Sequence, residues 1–144
     1  MKKLMPILLI AVAFFGCASS ALKQQSSDIS IEYRAITRGR NVHAMLTKDS
    51  VKGYSKGRIE NSVDKAMPKE EWDGVLTELE KVDLDKMQAL PAPSTKHQYD
   101  GAMGATLTVK VADKIYQTVT FDHGNPPAEI AALVNKITTL AGIE

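Results

Sequence analysis

The chain has 144 residues, 44% hydrophobic and 24% charged, which supplies enough apolar surface to offset chain entropy and argues against disorder of the whole chain. Its formal net charge is +1, and setting aside Lys2 and Lys3 leaves 16 of the 18 basic groups against 17 acidic ones. So balanced a body argues against a nucleic-acid partner, which needs concentrated basic surface, and offers little attraction to anionic lipid.

Lys2 and Lys3 precede an apolar run from Leu4 to Gly16, thirteen residues broken only by Pro6. A helix crossing the hydrocarbon core needs roughly 20. A positive start and a short apolar stretch read as a secretory leader over residues 1–16. The run ends in Phe14-Phe15-Gly16-Cys17. These residues resemble the lipobox of bacterial lipoproteins, with Phe14 where that family usually carries Leu. The resemblance implies cleavage just before Cys17 and a diacylglycerol on its thiol. Cys17 is the only cysteine, so no internal disulfide is possible, and lipidation gives the lone thiol of an exported chain a role. Each buried methylene of such an anchor contributes about 0.8 kcal/mol. Ala18 and Ser19 follow without an Asp, which by resemblance to proteobacterial sorting favours the outer membrane over the inner. The competing reading is plain secretion, with cleavage after Ala21 in Ser19-Ser20-Ala21. Residues 17–27 then form a lipidated cysteine and a small, polar, flexible tether. One domain is expected over residues 28–144.

In that domain Ile29, Ile31, Tyr33 and Ala35 alternate with Ser30, Glu32 and Arg34, the period of a strand with one buried face. Gly39 marks a turn, and Val42, Ala44 and Leu46 give the return strand. Val51 to Lys56 is a weaker third strand, and Arg58 to Met67 adds a possible fourth. Pro68 suits the first residue of a helix, with Glu70 and Glu71 at its positive end. Trp72, Val75, Leu76, Leu79 and Val82 form that helix's apolar stripe, with Trp72 expected in the core. A short turn is expected within residues 83–90, and Pro91-Ala92-Pro93 breaks regular structure. Ala105, Leu107, Val109 and Val111 predict a strand that turns at Asp113-Lys114. The partner strand buries Ile115, Gln117, Val119 and Phe121, with Tyr116 as an inward alternative. Asn125 is expected to cap a last helix opened by Pro126-Pro127, with Ile130, Leu133, Val134, Ile137 and Leu140 as its stripe and Gly142 as its stop. Strands, helix, hairpin and helix in this order predict an α+β fold: an antiparallel sheet with two amphipathic helices on one face.

The most distinctive segment is Asp122-His123-Gly124-Asn125-Pro126-Pro127. Each residue has a turn or capping role, the reading preferred here. In the functional alternative Asp122 orients His123 as a general base or metal ligand. The segment Lys96-His97-Gln98-Tyr99-Asp100-Gly101-Ala102 would extend that alternative, with His97 and Asp100 joining Asp122 and His123 in a ligand or metal site. There is no Gly-x-Ser-x-Gly elbow and no Gly-Lys-Ser or Gly-Lys-Thr phosphate loop, so no catalytic residue is assigned and no motif requires a cofactor. The outward face of the first strands and their turns carries Arg34, Arg38, Arg40, His43, Met45 and Lys56. Arg and Met favour partner surfaces, while a merely solvated face is the plainer reading.

Lys69-Glu70-Glu71-Trp72, Asp100-Gly101-Ala102, Phe121-Asp122-His123-Gly124 and Pro126-Pro127 make the body similar to small lipoproteins of the Bacteroidota type. That resemblance implies an envelope location and one small domain, and no activity. The expected function is a membrane-tethered, non-catalytic interaction or accessory module of the bacterial cell envelope. Its partners would be the membrane, through the N-terminal lipid, and another envelope protein. A small-ligand or metal-binding domain is the alternative, and a hydrolase using the loop His and Asp groups a third.

Overall fold

The computed structural model describes residue 22 and residues 24–143; the leader and Cys17 lie outside the described residues. Four strands form a meander: β1 (Ile29–Thr37), β2 (Arg40–Thr47), β3 (Ser50–Lys56) and β4 (Asn61–Ala66). Helix α1 (Lys69–Leu79) follows. A 3₁₀ segment (Leu84–Ala89) leads from it through a second one (Lys96–Tyr99) into β5 (Gly104–Val111), β6 (Lys114–Gln117) and β7 (Phe121–Asp122). Helix α2 (Ala128–Ala141) ends the described chain. The sheet runs β4-β3-β2-β1-β5-β6, all antiparallel, and β7 pairs β5 beyond the end of β6. The first strand is therefore central.

Alternation decides which face is covered. Ile31, Tyr33 and Ala35 of β1, Ala44 and Leu46 of β2, and Ala105, Leu107 and Val109 of β5 are fully buried. They form one core with Trp72, Val75, Leu76 and Leu79 of α1 and Ile130, Leu133, Val134 and Ile137 of α2. Burial of each large side chain in that core contributes about 1.5–3 kcal/mol. Both helices thus share one side of the sheet, the expected α+β arrangement. Helix α2 packs on β1 to β3, while α1 packs on α2 and is tied to it by Lys136 Nζ donating to Glu71 Oε2 at 2.9 Å. Gly53 permits the close approach of α2, because a Cβ there would stand 2.5 Å from the Ala141 carbonyl oxygen.

Several expectations shift by a residue. Pro68 is the N-cap of α1 instead of its first helical residue, and Pro127, not Asn125, occupies the N-cap of α2. The Asn125 side chain instead donates to Ser94 Oγ at 2.7 Å. Gly142 ends α2 with φ 62°, as its position foretold. The β5–β6 turn is Ala112-Asp113, with Ala112 at φ 50°. That one-residue change of register turns Ile115 outward, 67% exposed, and Tyr116 inward against the core. Thr108 pairs Gln117 but Ala105 pairs Phe121, so one extra residue lies between them. This bulge brings Phe121 back to the core. Leu22, in the stretch read as tether, is half-buried against the core.

Candidate functional site

Adjacent residues of a strand point to opposite faces, and this separates Asp122 from His123. Asp122 pairs Gly104, which pairs Ile36, half-exposed on the outward face. His123 follows on the inward side, towards Tyr33. The two motifs of the sequence therefore meet on both sides of β7, and the contacts differ from either reading.

On the outward side Asp122 is 2% exposed and accepts four hydrogen bonds. Ser94 Oγ and the Lys96 amide (2.9 Å) donate to Oδ2. The His97 amide (2.8 Å) and the His97 Nδ1–H (2.6 Å) donate to Oδ1. Desolvation pushes this carboxyl up, but the bonds from Ser94, the His97 amide and ring, and the Lys96 amide outweigh it. Together they hold it well below the usual carboxylate range. Asp122 thus orients His97, not His123. The loop lies over Gly104, where a Cβ would make only an ordinary contact with His97 Cβ at 3.6 Å but a tight one with Thr120 Cγ2 at 3.0 Å.

Ser94, His97 and Asp122 have the residue types of a hydrolytic triad, but their order of contact differs. Ser94 donates to the carboxylate and accepts from Asn125, so its oxygen is engaged on both sides. A nucleophile would need to be within hydrogen-bond reach of the imidazole. Neither His97 nor Asp122 lines the clefts beside His123 and the β3–β4 loop or the shallower ones beside β1, β3 and the β1–β2 turn. The cluster is a clamp that folds residues 94–97 over the sheet.

On the inward side Tyr33 Oη lies 2.7 Å from His123 Nδ1, with the rings 5.8 Å apart. Burial raises the Tyr33 hydroxyl far above its ordinary range, so it keeps its proton. Burial first, and the positive charge of Arg40 second, lower His123 from its ordinary value of 6.5. A neutral imidazole accepting the Tyr33 O–H at Nδ1 carries its own proton on Nε2. This pair borders a cleft of about 260 Å³ lined also by Pro126, Val134 and Asn135. No thiol or carboxylate lines it.

The expected joint ligand set is only partly assembled. His97 and Asp122 touch, whereas His123 turns to Tyr33 and Asp100 pairs Arg38 at 3.7 Å on the exposed surface. No group of three His, Cys, Asp or Glu suited to a metal occurs among the described residues.

The expected partner surface also divides. Arg34 pairs His43 and Glu32 pairs Met45 across β1 and β2, all on the outward face. His43 Nε2 lies 2.7 Å from Glu32 Oε1, and its ring stacks on Tyr54 at 5.3 Å. Arg34 is exposed, and no hydrogen bond or ion pair engages its guanidinium. Arg38 sits in the β1–β2 turn. Arg40 is in phase with Val42 and Ala44, so it belongs to the helix side of the sheet and is removed from the outward set. The sequence reading missed Tyr54, Glu32, Ser94 and Tyr33 as partners of its histidines. Glu32, Tyr33 and Tyr54 were legible only through strand register.

No family model matches the chain, and no curated protein matches it.

Proposed function

We propose that the chain is a membrane-tethered, non-catalytic interaction module of the bacterial cell envelope that receives an acidic segment of a protein partner on its outward sheet face. The observation that carries this reading is the uncovered face itself. Helices cover one side of the sheet, while the other presents unpaired Arg34 and Lys110 beside a His43–Tyr54 stack held by Glu32. Arg34, Lys52, Lys56 and Lys110 outnumber Glu32 and Asp64 on this face, so its net charge is positive. The His43–Tyr54 pair is held in place by Glu32 and offers a fixed aromatic surface at low entropic cost, beside the freely placed Arg34 and Lys110 cations. Residues of catalytic type are engaged in folding contacts: Asp122 clamps a loop and Ser94 is shared between Asp122 and Asn125.

The test is photocrosslinking in cells, with the reactive group placed at Thr106 on the outward face and at Glu78 on α1. An adduct from Thr106 alone, reduced at least about 10-fold by Arg34→Glu and unchanged by Lys69→Glu, is expected. Equal adducts from both positions, or indifference to Arg34→Glu, overturns the reading. A second reading, a small-ligand domain, is favoured by the cleft beside Tyr33 and His123. His123 would offer its Nε2–H there to a ligand acceptor. A melting shift with an apolar carboxylate, abolished by Asn135→Leu at the cleft wall, would establish that reading instead.

A further inference from the structure

The end of the sheet remote from the start of β1 carries a second cleft, of about 380 Å³. The start of β2 gives it Arg40, the end of β3 gives Ser55 and Lys56, and the β3–β4 loop gives Arg58. Of the other cations among the described residues, Arg38, Lys52, Lys69, Lys81, Lys86 and Lys136 each pair with an acid, whereas Arg34, Lys48, Lys65, Lys96, Lys110 and Lys114 stand singly on the surface. Arg40, Lys56 and Arg58 also pair with none of the described acids but are gathered on one cleft, and no carboxylate of the described residues lines it; Glu60 faces the neighbouring one. Bringing unpaired cations together costs electrostatic energy that a bound anion recovers.

One local feature builds the site and one works against it. Gly57 has φ 148°, and a Cβ there would stand 2.9 Å from Arg40 Cγ. Glycine is thus needed to lay the loop against the Arg40 stem and fix where its guanidinium emerges. The C-terminal end of α2 also points here, and the negative end of its dipole disfavours an anion, so the three cations must outweigh it. Asn61 Nδ2 donates to the Gly142 carbonyl at 2.9 Å and covers one of its free acceptors.

We propose that this cleft binds a phosphate monoester group. Arg40 and Arg58 offer forked donors that match phosphate oxygens, and Lys56 adds a point charge. A phosphate monoester carries about −1.5 to −2 charges near pH 7, closer to three cations than a single carboxylate does. The lining contains no aromatic ring on which a base could stack, and the chain as a whole is nearly neutral, which argues against a nucleic-acid source. Ile59, 79% exposed on the same loop, supplies an apolar contact for the organic part of the ester. The inference does not depend on the outward-face reading, because Arg40 lies on the helix side of the sheet and Arg58 in the β3–β4 loop, and Lys56 alone shares the outward phase, opposite Asn41 at the end of β3.

Isothermal titration of the full chain, in a non-ionic detergent at low salt, with inorganic phosphate and then phenyl phosphate tests it. Saturable binding with Kd on the order of 1 mM or tighter is expected for phenyl phosphate. Lys56→Glu and Arg58→Glu, both exposed and spared by the core, should each weaken it at least about 10-fold with melting temperature retained, whereas Lys114→Glu should not. Absence of saturable heat, or equal weakening by Lys114→Glu, overturns the proposal. Flotation with vesicles then separates the sources. Greater recovery on phosphatidic acid than on phosphatidylcholine, lost in Arg58→Glu, assigns the group to a lipid headgroup. Equal recovery on both, with the calorimetric result intact, assigns it to a soluble ester.

Discussion

Asp122 and His123 are neighbours in sequence and strangers in space, and their titrations should separate accordingly. Folding lowers the proton affinity of His123 through burial and then Arg40, whereas the unfolded chain takes up a proton near the ordinary 6.5. The unfolded state therefore binds more protons just below that value, so the stability His123 contributes is complete above it and is lost as pH falls towards the folded value. The melting temperature of the wild type should lose height relative to His123→Gln between about pH 7 and pH 5. Parallel melting curves across that range would refute the buried, neutral assignment. Asp122 works lower on the scale. Its folded value lies below the ordinary carboxylate range, so its contribution is complete above that ordinary range and is lost as pH falls from there towards the depressed folded value. Asp122→Asn should lower the melting temperature at pH 7, since one amide cannot accept all four donors. The Lys96 and His97 amides, which donate to the carboxylate, should then exchange hydrogen faster. Unchanged exchange at those amides would remove the clamp. The turn role of this segment was legible in its Asp, Gly, Asn and Pro residues. Ser94 was not, because it lies 28 positions away in a proline-broken stretch without period.

At the scale of elements, close packing and register carry the argument. The β3–α2 contact is backbone on backbone at Gly53, so the neighbour cannot swing aside as a flexible side chain would. Gly53→Ala should cost about 1–3 kcal/mol in urea unfolding, the range of overpacked cores. A neutral result would mean that α2 is free to slide on the sheet. The β5–β6 hairpin gives a paired test. Ile115→Ser should change stability by no more than about 0.5 kcal/mol, as substitutions at exposed sites do, whereas Tyr116→Ser should be clearly destabilising. The reverse ranking would restore the other phase. Sequence alternation gave both phases nearly equal support here, since Ile115 and Val119 compete with Tyr116. The decision rests on a turn that puts an alanine at positive φ, where Asn, Asp or Gly would have announced it. In β1, β2 and β5 only one phase is apolar, and there the buried faces were readable residue by residue.

For the whole molecule, the class of fold followed from strand alternation and two helical stripes, but the position of β1 did not. A meander read along the chain leaves β1 at an edge; the fold pairs it with β5 and makes it central. That pairing is non-local, and no short-range signal specifies it. It has a mechanical consequence for the proposed anchor. With β1 held on both sides and Leu22 packed against the core, the chain length from Cys17 to Leu22 can span at most about 18 Å. A lipid on Cys17 would then hold the domain close to the bilayer, with Arg40 about 26 Å along β1 from Ile29. Because Cys17 precedes every core residue, Cys17→Ser should move the protein into the soluble fraction, or leave its leader uncut, without changing the melting temperature of the domain. Leu22→Ser should leave fractionation unchanged and lower stability slightly by releasing residue 22 from the core. Fractionation with intact-mass measurement checks both variants together. A Cys17→Ser chain that still sediments with membranes at the mature mass would show that the folded body, and not the acylated thiol, holds it there.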